Sequence, residues 1–133
     1  VYGAEIARGV DVFRLVPSEH LSQNEIDAAV AVRMNTFNAQ QQPRVVHQPT
    51  FIVARAYLDQ LTRSNALPAP RLNAIKSAID RADRGNPDRA SLDQLDTLAT
   101  ELEANATNAT GHDGERMRAL AATIKARTAR LRG

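Results

Sequence analysis

The chain has 133 residues, a formal net charge of +2 and no cysteine. The lack of cysteine excludes disulfides, thiolate metal sites and cysteine nucleophiles, and so small a net charge does not by itself indicate nucleic-acid binding. Hydrophobic residues make up 43% of the sequence but aromatic residues only 4%, which favours a core of Leu, Ile, Val and Ala between packed helices. No apolar run approaches the roughly 20 residues of a membrane-spanning helix. The sequence begins with Val1 rather than Met, so we expect a processed product or part of a longer protein.

Residues 1–16, VYGAEIARGVDVFRLV, differ from the rest of the chain because β-forming side chains dominate them. Gly3 and Gly9 punctuate the stretch, which we interpret as one or two extended pieces. A strand needs partners for its backbone groups, and the remaining sequence offers no convincing partner strand. We therefore expect the strand at residues 10–16 to complete a sheet outside this chain. The side chains predicted to take part in this strand pairing are Val10, Val12, Phe13 and Leu15.

A single helix and a linker are predicted for residues 17–49. Ser22 and Glu25 have the spacing of a capping box, and the helix that follows carries an apolar side. Residues 35–49 are rich in Gln, Asn and Pro, which is typical of an extended linker, and residues 44–47 are a candidate short strand within it. The apolar side of the helix is predicted to be Ile26, Ala29 and Val30, with Met34 as a further candidate.

Four amphipathic helices are predicted for residues 50–133. Thr50 and Asp88 are expected to be N-caps, Gly85 is expected to be a left-handed C-terminal cap, and residues 105–114, NATNATGHDG, are predicted to be a polar loop. The apolar stripes, one for each helix, are Phe51, Ala54, Leu58 and Leu61; Leu72, Ile75, Ile79 and Ala82; Leu92, Leu95, Leu98 or Ala99, and Leu102; and Met117, Leu120, Ile124 and Leu131.

Short loops and complementary charge indicate how these helices pack. Residues 88–103 carry five acidic side chains against one arginine, whereas residues 112–133 carry six basic side chains against two acidic ones. An acidic helix beside a basic one is mutually attractive, although each exposed pair contributes only about 0–1 kcal/mol. The predicted fold is therefore mainly α, an antiparallel four-helix bundle-like domain at residues 50–133, preceded by a short β segment, one helix and an extended linker.

The candidate chemical groups favour structural roles. His20, His47 and His112 lie in three separate segments, without a second His at i+3 or i+4, so a metal site would require the fold to bring them together with carboxylates. Asp93 and Asp96 are neighbours on one helix face, where paired carboxylates could serve acid–base catalysis. They lie among other acidic residues, however, which is typical of a solvent-exposed side of a helix. We predict no catalytic residue, no cofactor-binding residue and no metal ligand.

Two further patterns leave alternatives open. The arginines of the last helix could bind phosphate groups, with residues 50–84 as a helix-turn-helix. They are spread around the helix without a stacking aromatic residue, so packing against the acidic helix is the favoured interpretation. Asn105 and Asn108 each begin a formal glycosylation sequon, NAT, which we interpret as part of a flexible polar loop.

Two resemblances bear on function. The segments LDQLTRSNAL and RLNAIKSAIDRADRGNPDRASLDQLDTLATELEA, followed by an Ala-rich helix, resemble the FIMAH domain, a helical module at the ends of bacterial extracellular and surface proteins. The positions that carry the resemblance span about residues 50–131. Pro87 after the Gly-Asn pair and GHDG before the last helix depart from the family pattern. The matching residues are Gly85, Asn86, Leu92, Gln94, Leu95, Leu98 and Leu102.

Residues 1–16 resemble the closing strands of LVIVD-repeat proteins, a β-propeller-like class of secreted protein. Together the two resemblances imply the C-terminal part of a larger, extracytoplasmic bacterial protein, periplasmic, secreted or at the cell surface. The expected function is non-catalytic interaction or assembly, with a preceding propeller or another protein as partner, and a cell-envelope component or a membrane-protein complex as candidates. An accessory structural subunit clipped onto a larger complex and a basic nucleic-acid-binding module remain as alternatives.

Overall fold

A computed structural model of the chain describes residues 2–5, 7, 9–32, 40 and 45–133. Its elements confirm the predicted class, because the chain is mainly helical and a short β segment precedes a helical bundle. The elements are strands β1 (Tyr2–Glu5) and β2 (Gly9–Val12) and helices α1 (Gln23–Val30), α2 (Phe51–Arg63), α3 (Ala69–Asp83), α4 (Arg89–Ala106) and α5 (His112–Arg132).

The two strands form an antiparallel hairpin. Tyr2 pairs with Val12, and Ala4 pairs with Val10. Gly9 begins β2 with a φ of +100°, a backbone conformation that glycine adopts without steric cost. The prediction of a strand through residue 16 was too long, because β2 ends at Val12 and residues 13–17 are not in a strand.

Helix α1 begins with the predicted capping box. The Ser22 hydroxyl accepts a hydrogen bond from the Glu25 backbone N–H, and the Glu25 carboxylate accepts one from the Ser22 N–H at 2.7 Å. The prediction of the buried side was partly wrong: Ile26 is buried, but Val30 is exposed. The second buried residue of α1 is Ala28 rather than Ala29, because α1 packs on α2 through a small contact at Ala28.

The segment before α2 has no strand over its described residues 45–50. The candidate strand at residues 44–47 is therefore wrong where the structure describes it, and Arg44 and Met34 lie outside the described residues. Val45 and Val46 are both exposed, so the segment lacks the burial that favours a strand in a linker.

Helices α2 to α5 bury one continuous core, in which the four predicted stripes meet. Three predicted stripe residues, Leu61, Leu95 and Ile124, are among the side chains with no solvent exposure, and of the alternatives Leu98 and Ala99 it is Ala99 that is fully buried. Leu98 and Leu131 are partly buried against the core. Among the residues whose burial the structure describes, none of the strands or of α1 belongs to this core cluster, so the core is built from α2 to α5 and their loops.

Ion pairs show that neighbouring helices run antiparallel. Arg55 near the start of α2 bonds Asp80 near the end of α3 at 3.0 Å. Arg71 near the start of α3 bonds Glu101 near the end of α4 at 2.6 Å. Each pair joins the beginning of one helix to the end of the next, as short loops require.

Helix α5 closes the bundle by packing between α4 and α2. Arg132 at the end of α5 bonds Asp93 near the start of α4 at 2.7 Å. The Ser64 hydroxyl, just after α2, donates a hydrogen bond to Asp113 at the start of α5 at 3.0 Å. The predicted pairing of an acidic helix with a basic one is thereby confirmed.

The corner between α3 and α4 differs from the prediction in one respect. Gly85 does not have a positive φ, so the left-handed cap predicted there was wrong. Arg84 ends α3 in the right-handed region and its Nε donates to the carbonyl oxygen of Asp80 at 3.2 Å, which satisfies a C-terminal carbonyl without a glycine cap. The left-handed residue lies instead after α2, at Asn65, with a φ of 53°. Asp88 caps α4 as predicted, by accepting from the Ser91 N–H at 2.8 Å.

The loop between α4 and α5 is shorter than predicted. Helix α4 continues to Ala106, so Asn105 lies in its last turn, and α5 already begins at His112. The Asn105 side chain donates to the carbonyl oxygen of Glu101 at 2.9 Å. The predicted loop of residues 105–114 therefore loses residues at both ends, because the helix period continues through small and polar residues once the core is packed.

Candidate interaction surface

The large apolar side chains that remain exposed are concentrated at the N-terminal end of the described chain. All four residues predicted for strand pairing are among them, with exposed fractions of 68% for Val10, 72% for Val12, 56% for Phe13 and 48% for Leu15. Val16 and Val30 are also largely exposed. Exposed apolar clusters of this kind are typical of interaction sites, whereas isolated exposed residues need no explanation.

The hairpin is not covered by the bundle. Val10 and Val12 alternate with Asp11 along β2 and therefore point to the same face of the hairpin. Within the described residues, neither strand packs against a helix. An isolated two-stranded hairpin is marginally stable in water, and three or more strands or a packed helix are usually needed. Within the part of the chain that the structure describes, the apolar face of the hairpin thus lacks the cover that such a face usually has.

Phe13 lies on the other side of the hairpin from Val10 and Val12. A Cβ atom on Gly3 would lie 3.0 Å from the Phe13 ring, which is closer than a relaxed contact. Gly3 therefore lets the ring lie across β1. The structure brings Val10 and Val12 together on one face and places Phe13 against the opposite face.

A groove lies between residues 14–17, which follow the hairpin, and α1, and its lining includes the polar side chains of Arg14 and Gln23. Its volume is about 310 Å³, and Leu15, Val16 and Pro17 line one side while Ile26 and Val30 of α1 line the other. Sequence reasoning placed Val30 in a buried stripe, and so missed its part in this groove. A signal was present in the sequence: Val30 is an apolar residue at the end of a short helix, before a segment rich in Gln, Asn and Pro.

Helix α1 is fixed to the bundle by polar contacts. The Arg63 guanidinium donates to both carboxylate oxygens of Glu25, at 2.7 and 3.0 Å, and Asn24 donates to Asp59 at 2.8 Å. The hydrogen bond from Arg63 lowers the pKa of Glu25 from 4.5 to about 2, against the opposing effect of burial and with the help of the Ser22 N–H. The two terminal nitrogens of the guanidinium each donate to one carboxylate oxygen. Such bidentate pairs are among the strongest hydrogen-bonded ion pairs in proteins.

A small apolar contact supports the same attachment. Ala28 of α1 packs on Val53 and Ala56 of α2, with Tyr57 at the edge. This cluster is separate from the core of the bundle. The groove of Leu15, Val16 and Val30 therefore rests on a helix that both ion pairing and packing hold in place.

The candidate metal-binding groups are placed apart. Among the residues that the structure describes, no group of three or more His, Asp or Glu side chains is close enough to hold a metal ion. The His20 Nε2 atom lies 3.3 Å from a carboxylate oxygen of Glu19, and the His112 Nδ1 atom lies 3.2 Å from one of Glu115. Both histidines are on the surface. His47 lies on the exposed segment before α2. The three histidines are not brought together.

The two neighbouring carboxylates of α4, Asp93 and Asp96, form ion pairs with the basic helix α5. Asp93 and Asp96 both bond Arg132, at 2.7 and 2.5 Å, and Asp96 also accepts a hydrogen bond from Thr128. On the same helix, Lys125 bonds Glu103 at 2.6 Å. These acids join α4 to α5, which is the structural role that the sequence pattern favoured.

Other basic side chains of α5 also contact the bundle. The Arg127 guanidinium lies 5.3 Å from the centre of the Phe51 ring, which is a cation–π contact. Arg118 donates to the carbonyl oxygen of Ala106 at 3.3 Å. The cation–π contact was not visible from the sequence, because it depends on how α5 is rotated against the start of α2.

No family model, curated protein or solved structure matches the chain. In the described part of the chain, no helix combines the length and the apolarity needed to cross a membrane. The fold class and the surfaces described above are therefore the basis for any statement about function.

Proposed function

We propose that the chain is a non-catalytic interaction and assembly module, the C-terminal part of a larger extracytoplasmic bacterial protein. Its N-terminal segment joins a β-sheet supplied by the preceding part of the same polypeptide or by another chain, and its helical bundle forms the tail domain. Strand addition of this kind uses backbone hydrogen bonds for affinity and alternate side chains for specificity.

One observation carries the proposal: Val10 and Val12 share an exposed face of a hairpin that packs on no helix of the described chain. A third strand or a covering sheet would supply what a two-stranded hairpin lacks. The resemblances of residues 1–16 to LVIVD repeats and of residues 50–131 to FIMAH domains favour a propeller as the source of that sheet. They also favour an extracytoplasmic location.

A photo-crosslinking amino acid at Val12 in the full natural gene product tests this proposal. We expect an adduct with a β-strand segment, either upstream in the same polypeptide or in one partner protein. Val46 is the matched control, because it is 76% exposed and lies just before α2. No adduct at Val12, or equal adducts at both positions, would contradict the proposal.

The sequence upstream of Val1 tests the location and the source of the sheet. Repeats of about 40–50 residues and a signal peptide are expected there. A Met codon directly before Val1 would exclude the propeller and leave the accessory-subunit alternative, in which the hairpin joins the sheet of a larger complex.

The nucleic-acid alternative is disfavoured by the contacts of α5. Lys125 and Arg132 bond carboxylates of α4, and Arg127 lies over Phe51, so these cations already have partners in the fold. An electrophoretic shift with DNA or RNA at two salt concentrations checks this, since phosphate contacts weaken steeply with salt. We expect no shift at low salt.

A further inference from the structure

We infer that α1 is a conformational latch, which separates from α2 and loses its helix in one step while the bundle of α2 to α5 stays folded. The latch sets how far the N-terminal hairpin can move from the bundle. This inference concerns the chain itself and does not rest on the proposed function.

The first argument is the length of α1. The helix has eight residues, whereas isolated helices shorter than about 12–15 residues are marginally stable in water. Within α1, the Gln23 side chain donates to Asp27 at 2.7 Å, and an exposed pair of this kind adds little to a helix. Contacts with α2 therefore supply most of the free energy that keeps α1 helical, and the helix is lost when those contacts break.

The second argument is that one carboxylate both caps and docks the helix. Glu25 accepts the Ser22 backbone N–H at 2.7 Å, which completes the capping box. The same carboxylate accepts two hydrogen bonds from Arg63 of α2, and the Glu25 side chain is only 10% exposed. Asn24 adds one hydrogen bond to Asp59 of α2, at 2.8 Å. The first turn of α1 positions Glu25 for Arg63, and Arg63 holds Glu25 where it caps that turn, so folding and docking of α1 are coupled.

The third argument is the small size of the apolar contact. Ala28 packs on Val53 and Ala56, with Tyr57 partly buried beside them. Among the described residues, Ile26, the other buried residue of α1, belongs to neither apolar cluster. The core of the bundle, in contrast, buries large side chains from all four of its helices. Because hydrophobic stabilisation grows with the buried apolar area, separating α1 costs much less than unfolding the bundle, and such weakly packed units open by themselves.

Release of α1 changes the length of the connection between the hairpin and the bundle. With α1 docked, residues 13–22 join β2 to α1, and they span at most about 35 Å. With α1 released, the connection extends from the end of β2 to Phe51 at the start of α2, and its maximal span is about 130 Å. The latch therefore switches the chain between a short and a long connection.

Thiol labelling of the full chain tests the latch, because the chain has no cysteine of its own. Ala56→Cys places a thiol beneath α1, and Ala78→Cys, the matched control, places one in the core of the bundle. The two alanines are 6% and 3% exposed. We expect Ala56→Cys to be labelled at least about 100-fold faster than Ala78→Cys, because partial opening is more populated than complete unfolding. Its rate should rise only weakly with urea, since little surface is exposed, whereas the rate of the control should rise steeply.

Variants of α1 in the Ala56→Cys background test the coupling of folding and docking. Glu25→Gln keeps an acceptor for the Ser22 N–H but loses the ion pair with Arg63, and should raise the labelling rate about tenfold. Ser22→Ala removes a side chain that bonds the Glu25 N–H within α1, and should raise the rate about fivefold. Asp27→Asn is the control, because Asp27 is exposed and bonds Gln23 of the same helix. It should change the rate by less than about threefold.

Amide hydrogen exchange of the unchanged chain checks that the introduced cysteine does not itself release α1. The amides of α1 should exchange together, with the same weak dependence on urea as the labelling of Ala56→Cys. If circular dichroism shows that Ala78→Cys is unfolded, Ala82→Cys takes its place, because Ala82 also lies in the core of the bundle.

Three results would overturn the inference. Equal rates and equal urea dependence for Ala56→Cys and Ala78→Cys would show that α1 opens only when the whole bundle unfolds. Labelling of Ala56→Cys as fast as that of an unfolded peptide would show that α1 is not docked. A labelling rate that Ser22→Ala leaves unchanged would show that folding and docking of α1 are independent.

Discussion

The Thr128 hydroxyl donates a hydrogen bond to the Asp96 carboxylate at 2.6 Å and joins α5 to α4 inside the bundle. Among the residues that the structure describes, Thr128 is the only polar side chain that is completely buried. A buried hydroxyl without a partner is costly, so this contact favours the observed pairing of the two helices over a rotated one.

Replacing Thr128 with Val should lower the free energy of unfolding by about 1 kcal/mol, because the shape is kept while the hydrogen bond is lost. Urea unfolding of Thr128→Val measures the effect. Thr123→Val is the matched control, since the Thr123 hydroxyl donates only to the Ala119 carbonyl of its own helix, at 2.8 Å. The control should change stability by less than about 0.5 kcal/mol. Equal losses in both variants would contradict a special role for Thr128.

The Glu25–Arg63 pair should make stability depend on pH. The pKa of Glu25 falls from 4.5 to about 2 in the folded protein, so the folded state binds this proton less readily than the unfolded state. The contribution of Glu25 is therefore fully present above pH 4.5 and is lost as the pH falls towards 2. It amounts to at most about 3 kcal/mol.

Unfolding of Glu25→Gln and of the unchanged chain at pH 7 and at pH 2.5 measures this contribution. The two proteins should differ most at pH 7 and converge at low pH. Glu115→Gln is the control, because Glu115 is exposed and its carboxylate pairs with the exposed His112 at 3.2 Å. A constant difference between Glu25→Gln and the unchanged chain at both pH values would show that the ion pair does not titrate as the structure implies.

Two glycines should respond in opposite ways to alanine. A Cβ at Gly114 would lie 3.0 Å from the carbonyl oxygen of Ala106, where α4 and α5 meet, whereas a Cβ at Gly85 would meet nothing within 4 Å. Gly114→Ala should therefore destabilise by about 1–3 kcal/mol, although alanine favours helix. Gly85→Ala should be neutral or stabilise by up to about 1 kcal/mol, by restricting the unfolded chain.

Thermal unfolding of the two variants decides this prediction. Destabilisation by Gly85→Ala would indicate that the residue needs a left-handed conformation after all. A stabilised Gly114→Ala would mean that the ends of α4 and α5 separate easily, and that their close contact contributes little.

The bundle should fold without the N-terminal segments. The core cluster draws its residues from α2 to α5 and the loops between them, so the fragment of residues 48–133 keeps it intact. The fragment lacks α1, and therefore loses both the contact of Ala28 with Val53 and Ala56 and the Glu25–Arg63 ion pair. These losses should lower the Tm by roughly 5–15 °C.

Circular dichroism should show a helical fragment with one cooperative thermal transition. An unfolded fragment would mean that the bundle depends on α1, and that the boundary predicted at residue 50 is wrong. The unchanged 133-residue chain, melted under the same conditions, is the reference.

Several features of the fold could be predicted from local sequence alone. The stripe of Phe51, Ala54, Leu58 and Leu61 has the helical period, and a helix with such a stripe must bury it. The caps at Ser22, Thr50 and Asp88 are local too, because each side chain bonds a backbone N–H only three residues away. The acidic and basic character of α4 and α5 already indicated that they pair.

Other features were decided by tertiary structure. Val30 belongs to the apolar pattern of α1, but α1 packs on α2 through Ala28 and leaves Val30 exposed, because only the position of the neighbouring helix determines which side is covered. Gly85 has the sequence of a left-handed cap, yet the Arg84 side chain satisfies the Asp80 carbonyl in its place. Local sequence therefore determined where helices form and how they begin. Which faces are buried, and which apolar side chains remain available to a partner, depended on contacts between residues far apart in the chain.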